Sequence, residues 1–165
     1  MPWFEGAASI NLGEADHMLG KLFAVMAILA LGITTANAQS CEDIITKRQN
    51  LMKASGAAGK TASAMMKGET PFDLDKAKEV LAAWAEDAKE MPTLFPDCSK
   101  TGAHTTAAPA IWDKADDFKA ATAKFAADVK AAQDSTKDLD TFKANVATVG
   151  KNCSNCHQAF RVRSS

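Results

Sequence analysis

Apolar residues in this chain recur three and four positions apart, with no sustained alternation of period two, and that spacing restricts it to packed helices. Ile44, Leu51, Ala58 and Met65 fall on one line at heptad spacing, and Ile45, Met52, Gly59 and Met66 fall on the line beside it. They predict a first helix over 42–67, stopped by Gly68-Glu69-Thr70-Pro71. A second helix is expected over 74–90, capped by Asp73, with Ala77, Leu81, Trp84 and Ala88 facing inward. Met91-Pro92 and Phe95-Pro96 end it, and a polar linker with Gly102 and His104 covers 97–108. A third helix opens with Pro109 in its first turn and carries Ile111, Ala115, Phe118, Thr122, Phe125 and Val129. The fourth begins near Asp138, with Phe142, Val146, Val149, Cys153, Cys156 and Phe160 on one stripe. β-branched residues never cluster, so the expected class is all-α, an antiparallel four-helix bundle.

The first 38 residues differ from the rest. Lys21 precedes an apolar run from Leu22 to Ile33, which leads to Ala36-Asn37-Ala38, the pattern of a secretory signal peptide. The run is shorter than the roughly 20 residues that a membrane-spanning helix needs. Residues 1–17 fit no part of such a signal, and Met18 makes a better start, which suggests a mis-assigned start site. The mature domain is then 39–165. Cleavage reduces 19 basic and 20 acidic residues to 18 and 17, scattered along the chain. That pattern predicts no nucleic-acid surface, no polybasic membrane patch and no stable membrane insertion. All four cysteines remain, in a compartment that permits disulfides.

The fourth stripe runs into KNCSNCHQAFR, residues 151–161. On a helix Cys153 and Cys156 are i and i+3, and His157 is i+4 from Cys153, so all three share a face. Two thiols one turn apart can bond the two vinyl groups of a haem while the imidazole reaches its iron, and Cys-x-x-Cys-His reads as covalent attachment of one haem c through two thioethers. A zinc site needs about four ligands, and no second close pair exists. A redox dithiol belongs in a βαβ context, which is absent from the pattern.

The sixth position on such an iron decides function. His104 reads as a surface-loop histidine. Met52 is the sharper candidate, because a thioether is a recognised haem ligand, although a methionine on an inner stripe also reads as packing. Cys41 opens the first helix and Cys98 follows the second. An antiparallel hairpin brings those ends together, which predicts a Cys41–Cys98 disulfide.

The chain resembles cytochrome c′ and its low-spin relatives, the class II c-type cytochromes. The local matches are Arg48-Gln49-Asn50-Leu51-Met52, Lys67-Gly68-Glu69, Leu94-Phe95-Pro96, Pro109-Ala110-Ile111-Trp112 and Cys-Ser-Asn-Cys-His-Gln-Ala-Phe-Arg from Cys153 to Arg161. The resemblance implies that Met52 occupies the distal position, where low-spin members coordinate iron and high-spin members hold a non-coordinating residue. It also implies that at least one of Arg48 and Arg161 pairs with a haem propionate or lies near the proximal imidazole. The expected function is a periplasmic carrier of single electrons with His157 and Met52 on the iron, served by redox partner proteins, as a monomer or homodimer. The alternative is a five-coordinate haem that binds nitric oxide or carbon monoxide. No acid–base pair or Ser/His/Asp set stands out, so an enzyme is not expected. N-terminal sequencing of the exported protein is expected to begin at Gln39; a start elsewhere overturns the assigned cleavage site.

Overall fold

A computed structural model describes residues 40–162, and the signal peptide and start-site expectations over 1–38 lie outside them. Helix α1 spans Cys41–Lys67. It begins where it does because Ser40 and Asp43 form a reciprocal cap: Ser40 Oγ accepts from the Asp43 N–H at 3.1 Å, and the Asp43 carboxylate accepts from the Ser40 N–H at 3.3 Å. It ends at Gly68, whose φ of +74° is the left-handed conformation that glycine adopts without a Cβ clash. Helix α2, Leu74–Glu90, is capped by Asp73, which accepts from the N–H groups of Asp75 and Lys76 at 2.8 and 3.0 Å. Single 3₁₀ turns follow at Met91–Thr93 and Asp97–Lys100.

The expected third helix is divided. A single turn, α3, covers Ala110–Asp113, Lys114 leaves helical geometry at φ −128° and ψ 52°, and α4 runs Ala115–Ser135. The short turn is pinned to the preceding loop, since the Trp112 indole donates to the Phe95 carbonyl at 3.0 Å and Lys100 lies 5.6 Å over the indole. Helix α5, Leu139–Phe160, starts at a second capping box, with Asp138 Oδ1 accepting from the Thr141 N–H at 2.8 Å. The four long helices form the bundle: α1 packs along α2, α2 along α4 and α4 along α5, whereas α1 and α5 meet only slightly.

Two apolar clusters divide the interior. The larger joins Ala62 and Met65 of α1, Leu81 and Trp84 of α2, Val129 of α4, and Phe142 and Val149 of α5. The smaller surrounds Ile111, Phe118 and Phe160. Its rings meet edge to face, with centroids 4.9 Å apart for Phe95–Phe118 and 5.2 Å for Phe118–Phe160, an arrangement favoured by the ring quadrupoles.

The helix that ends in Phe160 is also held by its backbone. The Ala108 N–H donates to the Phe160 carbonyl and the Val162 N–H to the Thr106 carbonyl, both at 2.9 Å, and Ala107 and Arg161 form an antiparallel bridge.

Cys41 and Cys98 are joined in a disulfide, with Cα atoms 5.7 Å apart. Beside it the Arg48 guanidinium is buried and clasps the loop after α2. One terminal nitrogen donates to the Leu94 carbonyl (2.9 Å) and Ser99 Oγ (3.0 Å), the other to the Ser99 carbonyl (3.1 Å) and Thr105 Oγ1 (2.9 Å). The guanidinium also sits 4.5 Å from the Phe95 ring centroid. Replacing both Cys41 and Cys98 by serine is expected to lower stability by up to about 4 kcal/mol in urea unfolding, from chain entropy restored to a loop spanning 57 positions. Arg48→Ala leaves buried oxygens without donors, and on the order of 3 kcal/mol should be lost, with faster amide exchange over 99–105. Arg48→Lys should not restore it, because an ammonium cannot reproduce the planar fork.

Candidate functional site

The last two turns of α5 carry the Cys-x-x-Cys-His motif, and the helix places its members on one side as the spacing predicts. Cys153 and Cys156 are free thiols, each half-buried. Cys153 packs against the larger apolar cluster and Cys156 against the smaller, so the motif spans the junction of the two. A hollow of about 400 Å³ opens beside Cys156, lined among others by Ala110, Ala121, Asn152 and Phe160. His157 is exposed. Because Cys41 and Cys98 are bonded to each other, they are not available as partners of this pair for a four-ligand zinc site.

The thiols and the imidazole are held in their uncharged forms. Burial, and then the Asp87 carboxylate, push the Cys153 thiol up; burial, Cys153 and Asp87 do the same for Cys156. Partial desolvation, and then the positive charge of Arg161, lower the His157 imidazole below its ordinary value. At neutral pH the motif therefore presents two S–H groups and a neutral ring with a free lone pair. Those are the states needed to add sulfur and hydrogen across two vinyl groups and to ligate iron, and the residues fit a covalently held haem.

Asn152, the buried residue before Cys153, donates to Asp128 Oδ2 at 2.7 Å and ties this part of α5 to α4. Its hydrogen bond, with that of Lys124, lowers the Asp128 carboxyl.

Met52 lies on α1, one turn after Arg48, and is 37% exposed, unlike the buried Ile45 and Met65 of the same helix. Ser55, three residues on and on the same face, donates to Asp87 Oδ2 at 2.6 Å, and its carbonyl accepts from the Trp84 indole at 3.2 Å. The Asp87 carboxylate in turn is near enough to raise both motif thiols.

The two arginines are placed differently. Arg161 caps α5, its N–H donating to the His157 carbonyl at 3.2 Å, and its charge reaches the imidazole. All four terminal N–H groups of Arg48 have protein acceptors, which makes it a loop clamp in this arrangement. His104 is exposed in a turn with φ of +53°, as a loop histidine. Sequence reasoning passed over Asp87 and Asn152. For Asp87 a signal existed, since it lies three residues from Trp84 and beside Ala88, a charged residue on the inward arc of α2.

Residues 43–161 match the family model described as Cytochrome C′. Cytochrome c′ of Rhodopseudomonas palustris is 41% identical over 145 residues, covering 88% of this chain and 98% of the relative. Cytochrome c-556 of Agrobacterium fabrum is 37% identical over 150 residues, covering 88% and 99%. Among solved structures, cytochrome c′ from R. palustris aligns with a TM-score of 0.71 at 44% identity, over 74% of this chain and 98% of that one. The NMR-validated structural model for oxidised R. palustris cytochrome c556 aligns with a TM-score of 0.67 at 35% identity, over 74% and 98%. Family model, relatives and fold agree that this chain belongs to the cytochrome c′ family.

Proposed function

We propose that this chain is an exported, periplasmic carrier of single electrons, in which Cys153 and Cys156 would hold one haem c and His157 and Met52 would both ligate its iron. The observation that carries the reading is Met52, a large apolar side chain left out of the core on a helix whose other large apolar residues are buried or half-buried. Relatives named cytochrome c-556 as well as cytochrome c′ are consistent with it.

Haem supplies a one-electron couple at its iron. Cys153 and Cys156 fix its position against the two apolar clusters, so it cannot be lost by dilution outside the cell. His157 offers a neutral nitrogen, and the Arg161 charge beside it disfavours the ferric state and raises the reduction potential. Met52 offers a soft sulfur that also favours the ferrous state. His157 and Met52, kept as ligands in both redox states, would leave little to reorganise on electron transfer. They also leave no open position for a substrate, which argues against catalysis. Redox proteins that meet the exposed motif face are the expected partners.

The ferric protein is expected to be low-spin with a sulfur-to-iron charge-transfer band, and Met52→Ala should abolish that band and allow carbon monoxide to bind. A wild-type protein that is high-spin and binds carbon monoxide unaided overturns the carrier in favour of the gas-binding alternative.

A further inference from the structure

Asp87 is an ionisable group in the interior that electron transport alone does not explain. The residue is 3% exposed, one carboxylate oxygen accepts from the Ser55 hydroxyl at 2.6 Å, and the other, Oδ1, is buried with no hydrogen-bond partner among the described residues. Trp84, one turn before Asp87 on α2, also holds Ser55, its indole N–H donating to the Ser55 carbonyl at 3.2 Å. The position is thus built, rigid and half-satisfied.

The nearby charged groups are committed elsewhere. On α1, Lys47 pairs with Glu90 at 2.6 Å. On α4, Asp128 is held by Lys124 and Asn152. On α5, the groups that feel Asp87 are the thiols of Cys153 and Cys156, and Arg161 acts on His157. On α2 itself, Glu86 and Lys89 are exposed. Among the described residues no ion pair involves Asp87. A buried carboxylate with one oxygen unpartnered and no cation favours its protonated form, and burial raises this one above the usual range despite Ser55. Trp84, one turn before Asp87, belongs to the apolar cluster against which Cys153 packs, so Asp87 lies on the part of α2 that borders the group the cysteines would hold.

We propose that Asp87 is a redox-linked proton site: it binds one proton from solvent when the haem held by Cys153 and Cys156 accepts one electron from its donor, and releases that proton on oxidation. The inference rests on haem attachment at the motif, and not on Met52 ligation. The step forms one O–H bond on the carboxylate and delivers one electron to the iron, so the net charge of the interior is unchanged. Ser55, only half-buried, is the side chain through which the proton reaches Asp87.

The sign follows from electrostatics. An added electron makes Asp87 bind its proton more tightly, so the reduction potential is high while Asp87 is protonated in both states. It falls through the window between the two proton affinities and is low where Asp87 is ionised in both. A tenfold difference in proton affinity between the states corresponds to about 59 mV.

Spectroelectrochemical titration of the holoprotein against pH tests this in wild type, Asp87→Asn and Ser55→Ala. Wild type should show a sloping window. Asp87→Asn should be flat there, at the higher potential, and should lose a carboxylic C=O band that appears on reduction in infrared difference spectra. Ser55→Ala keeps Asp87 but removes a hydrogen bond that favours the carboxylate, so its window should move to higher pH. A flat wild-type profile, or a slope that survives unchanged in Asp87→Asn, overturns the proposal. If Asp87→Asn does not fold, an unmoved window in Ser55→Ala overturns it instead. Failure of Met52 ligation is read separately, from the ferric sulfur band, and leaves the slope intact.

Discussion

A buried guanidinium, without a carboxylate partner among the described residues, organises this molecule. Arg48 gathers the carbonyls of Leu94 and Ser99 and the hydroxyls of Ser99 and Thr105 around one planar fork. Burying such a charge costs several kcal/mol, and good geometry to multiple acceptors is what makes it tolerable. Burial also lowers its proton affinity, from a value high enough that it stays charged. Through Phe95, which it faces at 4.5 Å, the clamp continues into Phe118 and Phe160, the last residue of the motif helix. The first helix and the last thus share a support although they scarcely touch each other.

The motif sits where two separate apolar clusters meet, with one cysteine on each. A cofactor tethered there is fixed by both, and its surroundings are set by the polar groups that the bundle leaves inside. Those groups have opposite tendencies. Arg161 is an exposed positive charge beside His157, which it lowers, whereas Asp87 is buried and its carboxyl is raised by that burial.

Much of this was legible in the sequence. The limits of α2, the Gly68 stop and the Asp138 start follow from local cap chemistry and a 3.6-residue period, which need no knowledge of distant residues. Cys-x-x-Cys-His was readable because helical geometry alone puts its members together. The Cys41–Cys98 bond followed from hairpin topology. The break at Lys114 was not legible: Pro109 and the three-four spacing are satisfied on both sides of it, and the turn before it is tied to a distant residue by the tertiary bond from Trp112 to the Phe95 carbonyl. The role of Arg48 was hidden because its acceptors lie 46 to 57 residues away, in a loop without periodicity. Met52 falls on a heptad line with buried residues, and only the bundle's geometry separates it from them.

The order of the cysteines has a consequence for biogenesis. A chain that crosses a membrane N-terminus first presents Cys41 and Cys98 to the oxidising side before Cys153 and Cys156, which follow more than fifty residues later. The hairpin that unites the first pair consists of α1, α2 and the turn Asp97–Lys100 that follows it, all N-terminal to the motif. In the proposed exported carrier, half of the thiols would thus be paired before the other half emerges, and that order alone would keep Cys153 and Cys156 from mispairing with them.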